Sequence, residues 1–202
     1  MLSQLKTNKS LTFYQANSMQ HQEYSGQTAG GVCATAVSEI ARMTAATTTG
    51  FNNQLNSFLN EFTSARDRIT AKVAEGLRND PNYTGARGDG VELAWKYEKA
   101  DVEMGGKGSA GWDKAQQKEL LENGKVEGAE GHHQKSVKAN PKEQGNPDNI
   151  KFYKSHKKHL KNGHKGNFRN RTNDPMINKD GMLKKTNLER VFKNELKGLG
   201  IA

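Results

Sequence analysis

Apolar residues recur at three- and four-residue steps through the second quarter of the chain, with charged residues on the other faces. The recurring positions are Phe51, Leu55, Phe58, Leu59, Phe62, Ile69, Val73 and Leu77. This period predicts an amphipathic α-helix of about 26 residues that packs against a core or a partner helix. The turn sequence at 79–82 predicts where the helix ends.

Two stretches of different composition precede this helix. Residues 1 to about 32 are rich in Gln, Ser and Asn and show no sustained period, so we expect them to be extended or poorly ordered. The Ala- and Thr-rich stretch Val32–Thr49 favours a helix that ends before Gly50. The first part of the chain is therefore predicted to be mostly helical.

Two shorter helices are predicted in the middle of the chain. Val91–Met104 carries apolar residues at helical spacing, and Trp112–Asn123 forms a second helix with Leu120 and Leu121 facing inward. The glycine cluster at 105–109 predicts a flexible joint between them. The glycine that follows Asn123 is placed to end the second helix in a left-handed conformation.

Strand periodicity is confined to two segments of the last third. These are Val126–Val137 and Ile150–Tyr153, which flank the polar loop Lys138–Asn149. The lysine-rich segment Ser155–Asn162 follows and is predicted to be helical. The order strand, loop, strand, helix predicts an α+β protein whose C-terminal part is a ββα unit with flanking helices.

A terminal helix is predicted over Thr186–Leu196. Thr186 and Glu189 have the spacing of a capping box at its start. Its buried face is expected to consist of Leu188, Val191, Phe192 and Leu196.

Charge divides the chain unevenly. Its 202 residues suffice for one ordinary domain or two small ones. Residues 131–202 contain 17 lysines and arginines against 6 aspartates and glutamates, a net charge of +11, so residues 1–130 carry about −2 of the total of +9. Such a concentration of positive charge favours a polyanionic partner, with nucleic acid first and an anionic membrane surface second.

Two further features exclude classes of protein. The single cysteine, Cys33, excludes an internal disulfide framework and a cysteine-based zinc site, so a bound metal must use histidine and oxygen ligands. No apolar run approaches the ~18 residues of a membrane span, and Met1–Leu11 lacks the apolar core of a signal peptide. We therefore expect no membrane span and no signal peptide.

Five of the six histidines lie between His132 and His164. Adjacent strand residues point to opposite faces, so one of His132 and His133 can bind a metal while the other reaches a substrate. His159 and His164 are five residues apart, and Gly163 can loosen the last helical turn so that both rings share one side. Three neutral imidazoles can then hold one divalent ion with open positions for water and phosphate.

Three strings around these histidines carry a family resemblance. They are Gly131-His132-His133, the run 146–152 (NPDNIKF), and His159 followed by 164–170 (HKGNFRN). Together they resemble the HNH/endonuclease VII superfamily and, more narrowly, the GHH-signature nuclease toxins of bacterial polymorphic toxin systems. The resemblance extends over roughly 112–172, and it depends on order, spacing and flanking residues together.

The resemblance implies a role for each histidine of a ββα-metal site. His132 would be a metal ligand and His133 the general base, with His159 and His164 completing the metal site and Asn149 orienting the ring of the base. Asn149 and His159 are ten residues apart and the two distal ligands five, where the family pattern has nine and four. This difference leaves the helix register open and makes His156 an alternative ligand.

The same resemblance implies a cofactor and a substrate. One divalent ion is expected, with Mg²⁺ or Mn²⁺ supporting activity and Zn²⁺ or Ni²⁺ able to occupy the site. DNA is the expected substrate, cut with little sequence specificity. Its phosphates would be bound by exposed basic residues, namely Arg169, Lys157, Lys158, Lys161 and Lys165.

A division of the chain and a biological role complete these expectations. Residues 1–84 would be a helical region for delivery, docking or cover, 85–111 a helix and glycine-rich joint, and 112–202 the nuclease domain. The resemblance implies a secreted antibacterial effector that acts in the target-cell cytoplasm. A cognate immunity protein and a secretion-system carrier or chaperone, the latter bound through the N-terminal region, are its expected partners.

Two other functions remain open at the level of sequence. Gly30-Gly31-Val32-Cys33 faintly resembles the nucleophile region of papain-like proteases, with His132 and Asp148 as the required partners. Alternatively, the histidines form a closed structural metal site in a non-enzymatic nucleic-acid-binding module. Structural sites usually have four ligands, so three histidines with no cysteine nearby favour an open, catalytic site.

Overall fold

The computed structural model describes residues 30–201, with side chains from Val37 onward. Its helices are α1 (Gly30–Asn79), α2 (Arg87–Glu103), α3 (Lys114–Asn123), the single turn α4 (His156–Lys158) and α5 (Lys179–Gly198), and its strands are β1 (Glu130–His133) and β2 (Ile150–Tyr153). The α+β class with a helical N-terminal part is confirmed. None of the helices in 30–201 combines the length and apolar character that a bilayer span requires.

Helix α1 is one continuous element of 50 residues, so the predicted end before Gly50 is wrong. An isolated glycine costs only about 1 kcal/mol in a helix, which its neighbours can offset. The hydroxyls of Thr47 and Thr49 donate to carbonyls four residues back and remain compatible with the helix. The extended conformation expected for residues 1 to about 32 concerns mainly residues outside the described range, and 30–32 are helical.

Contacts between residues divide the chain into two compact units, Met1–Arg42 and Met43–Ala202. The following description concerns the second unit. Its core has two clusters, and α2 supplies both. One contains Ala94, Val102, Trp112, Leu120, Val126, Ile150 and Phe152. The other contains Phe62, Leu93, Tyr97, Ala100, Met104 and Leu183, with further residues of the α1 stripe packed against it. The α1 stripe is therefore core packing, as its period predicts.

Local signals place α3 and β2 well. Asp113 caps α3 in a reciprocal capping box with Gln116, and Gly124 ends the helix at φ 74°. Leu120 is fully buried, but Leu121 is 38% exposed, which corrects the prediction that both face inward. Strand β2 has the predicted bounds and pairs antiparallel with β1, which is shorter than predicted.

The last helix differs from its prediction in both start and orientation. It begins at Lys179, where Asn178 accepts a hydrogen bond from the Gly181 amide, so the capping box at Thr186 is wrong. Thr186 lies inside α5 and its hydroxyl donates to Asp101. Leu188 is 68% exposed because the buried face is set by Leu183 and by polar contacts of neighbouring turns.

Candidate active site

The first strand gives its two adjacent histidines different surroundings. His132 lies opposite Lys151 of β2 and is 2% exposed. His133, on the other face of the pleat, is half-buried at the edge of a cleft. The alternation of a β-strand thus separates the two rings, as the sequence predicts.

A π-helix brings the two distal histidines to the first. The turn His159–Gly163 is π-helical, and the His164 amide donates to the His159 carbonyl over 3.2 Å. Hydrogen bonds from residue i+5 to residue i place side chains five apart on one side of the helix. The π-turn therefore accommodates the five-residue separation of His159 and His164. The helix register that the sequence left open is that of a π-helix.

Gly163 is required in this turn because a side chain has no room. A Cβ atom there would lie 2.9 Å from His159 Cδ2 and 3.1 Å from both His132 Nδ1 and Tyr153 Cε2. Real Cβ contacts are rarely so short, and a larger residue would displace the histidine rings. The residue predicted to loosen the turn also keeps the space between them open.

Three histidine rings bring one nitrogen each close together. One nitrogen each from His132, His159 and His164 lies within 4.8 Å of the other two, and His132 Nδ1 is 3.1 Å from His159 Nε2. Among the described residues, no hydrogen-bond partner exists for the buried atoms His132 Nε2 and His164 Nδ1. Buried polar nitrogens without a partner are costly unless another ligand satisfies them.

The electrostatics of the cluster keep these rings neutral. Burial and the neighbouring His164 and His159 rings lower the pKa of His132 to about 4. Burial also lowers the pKa of His164, with His159 as a further cause. Neutral imidazoles have the lone pairs that a metal ion requires.

Glu130 fixes the tautomer of the remaining ring. Its carboxylate accepts hydrogen bonds from His159 Nδ1 at 2.6 Å and from His156 Nδ1 at 2.9 Å. Hydrogen bonds from His159 and then His156 lower the pKa of Glu130, so it is ionised and only accepts. In its neutral form His159 therefore donates through Nδ1 and has a lone pair on Nε2, the arrangement that supports metal-ligating histidines.

The residues present therefore fit a divalent ion held by three imidazoles, with positions left for water and phosphate. His156, weighed as an alternative ligand, is 67% exposed and bonds the outer side of Glu130. It stands beside the cluster rather than in it.

The ring of His133 is oriented by a backbone carbonyl. His133 Nε2 lies 3.0 Å from the Gln144 carbonyl oxygen, which can only accept, so the neutral ring donates through Nε2. Burial is the main cause that lowers the pKa of His133, and Arg87 lowers it further. The ring is therefore neutral at pH 7 and has a lone pair on Nδ1.

Asn149 acts on the loop rather than on the ring. The family resemblance predicts that Asn149 orients the ring of the base, whereas its side-chain amide bonds the backbone on two sides. Asn149 Oδ1 accepts from the Lys135 amide at 2.7 Å, and Nδ2 donates to the carbonyls of Lys135 and Glu143 at 3.0 and 3.1 Å. Asn149 is completely buried and fixes the backbone next to Gln144.

A cleft of about 740 Å³ passes over both the histidine cluster and His133. The basic residues that line it are Arg87, Lys138, Arg169 and Arg171. Of the five expected phosphate-binding residues, Arg169 lies in this lining. The other four, Lys157, Lys158, Lys161 and Lys165, are exposed but are not part of the lining.

Sequence reasoning missed Arg87 and Gln144 as site residues. Arg87 begins a helix 45 residues before His132, and no local pattern connects the two. Gln144 contributes a main-chain oxygen, which any residue type has. Glu130 directly precedes the Gly-His-His string, and its position was the one signal that could have identified it.

The protease alternative finds little support in this geometry. The side chain of Cys33 lies outside the described residues. Asp148, the acid that it would require, is held by the Arg66 guanidinium and by the Lys179 amide. His132, the required base, belongs to the three-histidine cluster.

A comparison with known families covers part of the site, including His132 and His133. Residues 83–154 match the family model described as GHH signature containing HNH/Endo VII superfamily nuclease toxin. The match starts before α2, which the predicted domain division left outside the nuclease, and ends before His159. No curated protein matches the chain. Over residues 83–154 the chain is thus similar to the GHH-signature nuclease toxins of the HNH/endonuclease VII superfamily.

Proposed function

We propose that this protein is a metal-dependent endonuclease that hydrolyses DNA phosphodiester bonds with little sequence specificity. The observation that carries the proposal is the cluster of His132, His159 and His164, whose ring nitrogens lie within 4.8 Å of one another. The neighbouring His133 lines the same cleft on a separate face of β1.

In this proposal His133 is the general base. With Nε2–H donated to the Gln144 carbonyl, Nδ1 is the atom that takes the proton from an attacking water. The lowered pKa of His133 keeps that atom unprotonated at neutral pH. Asn149 holds the backbone that keeps the ring in place.

His132, His159 and His164 would hold one divalent ion. When bound, such an ion stabilises the negative charge that develops on the phosphate and the leaving oxygen. Imidazole nitrogens favour Zn²⁺ and Ni²⁺ in affinity. We propose Mg²⁺ or Mn²⁺ as the activating ion, because these ions retain water and bind phosphate oxygens readily.

We assign DNA binding to contacts between basic side chains and the phosphates of the DNA backbone. Arg169 lies in the cleft with Arg87, Lys138 and Arg171, and a guanidinium can grip two phosphate oxygens at once. The exposed lysines Lys157, Lys158, Lys161 and Lys165 lie outside the cleft lining and would reach phosphates beyond its edge. Contacts of this kind do not read bases, which explains the expected low sequence specificity.

The biological role follows from similarity to a toxin family. We propose that the protein is an antibacterial effector delivered by a secretion system into the target-cell cytoplasm. The producing cell would be protected by a cognate immunity protein, and residues 1–84 would bind a carrier or chaperone. Because the family match begins at residue 83, the nuclease domain would include α2 as well as residues 112–202.

Substitution of single histidines tests the assignment. His133→Ala should reduce plasmid cleavage by roughly 10²- to 10⁴-fold and leave DNA and metal affinity within twofold, since the base acts on rate. His132→Ala and His159→Ala should each weaken divalent-ion binding in calorimetry. His156→Ala is the control: this exposed ring lies outside the cluster and bonds only the outer side of Glu130, so its loss should lower metal affinity far less than loss of either ligand.

Four results would contradict parts of the proposal. Near-normal cleavage by His133→Ala would exclude it as the base. Unchanged metal affinity in both His132→Ala and His159→Ala would exclude the three-histidine site. Proteolytic activity that is lost in Cys33→Ser or after iodoacetamide treatment would favour the cysteine protease alternative. Cleavage of RNA with no cleavage of DNA would correct the substrate.

A further inference from the structure

The loop that orients His133 is attached to α1 by a residue 82 positions away from its partner. Arg66 binds Asp148 with both ends of its guanidinium group: Nη1 donates to Oδ2 at 3.1 Å and Nη2 donates to Oδ1 at 2.9 Å. Nη1 also donates to Asn146 Oδ1 at 3.4 Å. Arg66 therefore holds the residues on both sides of Pro147.

The surroundings of Arg66 fix its own position. Nε donates to the Tyr97 hydroxyl at 2.8 Å, and the Tyr97 hydroxyl donates to Asp180 at 2.6 Å. Side chains of Arg66 and Asp148 are only 21% and 25% exposed. A bidentate, partly buried pair of this kind has a defined geometry, unlike most surface ion pairs.

A continuous series of covalent and hydrogen bonds connects Asp148 to His133, the proposed base. Asp148 lies in the 3-10 turn Pro147–Asn149, and Asn149 ties the Lys135 and Glu143 backbones together. Glu143 precedes Gln144, whose carbonyl orients His133.

The side chain of Gln144 is itself held by the segment that follows α1. It is fully buried, accepts from the Ala86 amide at 3.2 Å and donates to the Tyr83 carbonyl at 2.9 Å. The α1 region thus holds the loop at two separate points.

We propose that Arg66 is a positioning residue of the nuclease, which holds the 146–149 turn so that the Gln144 carbonyl keeps His133 aligned. This proposal rests on the function proposed above. Arg66 lies outside residues 83–154 and within the segment first interpreted as a delivery, docking or cover region. The second half of α1 would then be part of the catalytic unit.

A matched pair of variants tests this role. Arg66→Gln and Arg68→Gln make the same change two residues apart on α1, and Arg68 is exposed with no hydrogen bond or ion pair within the described part of the chain. Arg66→Gln should lower the single-turnover cleavage rate by roughly 10- to 100-fold, because small misalignments of reacting groups have effects of this size. DNA affinity in EDTA and metal affinity should stay within twofold.

A purely structural Arg66 would give a different result. At temperatures where both variants are folded by circular dichroism, equal cleavage rates for Arg66→Gln and Arg68→Gln would overturn the proposal. Asp148→Asn should reproduce the effect of Arg66→Gln, and the double variant should be no slower than the slower single variant. Additive losses would overturn it too. If Arg66→Gln does not fold, Asp148→Asn decides the question by the same rate comparison.

Hydrogen exchange separates failure of this proposal from failure of the proposed function. The Lys135 amide donates to Asn149 Oδ1, and its protection should fall about tenfold in Arg66→Gln but not in Arg68→Gln. A wild-type protein that cleaves no DNA with Mg²⁺, Mn²⁺, Zn²⁺ or Ni²⁺ would contradict the nuclease assignment. Unchanged Lys135 protection would contradict the link from α1 to the loop, whatever the activity.

Discussion

At the scale of single residues, the histidine cluster depends on a position without a side chain. Gly163→Ala would place a methyl group 2.9 Å from His159 Cδ2 and 3.1 Å from His132 Nδ1, so at least one ring must move. We expect divalent-ion affinity to fall tenfold or more and stability to fall by about 1–3 kcal/mol. Calorimetric titration and denaturant unfolding of the metal-free protein would measure these two effects.

Gly50→Ala is the control for this substitution, because a Cβ atom at Gly50 meets nothing within 4 Å. It should leave metal affinity unchanged. Wild-type affinity in Gly163→Ala would mean that the ring positions tolerate the methyl group and that the cluster is looser than its geometry indicates.

The site residues that could be predicted from sequence are those that act through a distinctive side chain. His132, His159 and His164 could be grouped from sequence because imidazoles are rare and their order follows a ββα pattern. The orienting group for His133 could not be found in this way, since it is the main-chain oxygen of Gln144. Arg66 was equally hidden, because its partner lies 82 residues away and no period connects them.

At the scale of elements, the continuity of α1 through Gly50 gives a direct prediction. Gly50 is in the middle of a helix with open space around it. Gly50→Ala should therefore stabilise the protein by about 0.4–1 kcal/mol, because alanine restricts the unfolded chain and favours the helix. Guanidinium unfolding followed at 222 nm would detect the shift. A decrease in stability would indicate that the helix needs the flexibility of glycine at this position.

Elements with complete local signals were predicted well, and elements positioned by distant contacts were not. Helix α3 has a capping box and a terminal glycine, and β2 has alternation between clear boundaries. Helix α5 has an apolar pattern that suggests a face around Leu188. The observed face instead follows Leu183 in the core and Asn187, which donates to Asn52 of α1. An amphipathic period predicts that such a helix exists. The face that it buries depends on the elements against which it packs.

At the scale of the whole molecule, positive charge is divided between the cleft and its surroundings. Arg87, Arg169 and Arg171 line the cleft beside His133, whereas Lys157, Lys158 and Lys161 are exposed outside it. Both groups should bind phosphates and contribute to counterion release, which makes affinity fall with salt. Under the proposed function, the cleft group would contact the phosphate that is cleaved, because it lines the cleft beside His133.

Two triple neutralisations should therefore have different effects. Changing Lys157, Lys158 and Lys161 to Gln should reduce the slope of log affinity against log salt by up to about three phosphate contacts, with the single-turnover rate at saturating DNA unchanged. Changing Arg87, Arg169 and Arg171 to Gln should reduce the same slope and also lower the saturated rate by at least tenfold, evenly across different duplex sequences. Affinity measured in EDTA from 50 to 200 mM salt, followed by metal-initiated cleavage, gives both quantities. If the lysine triple leaves the slope unchanged, those three lysines are a solvated surface and do not bind the substrate.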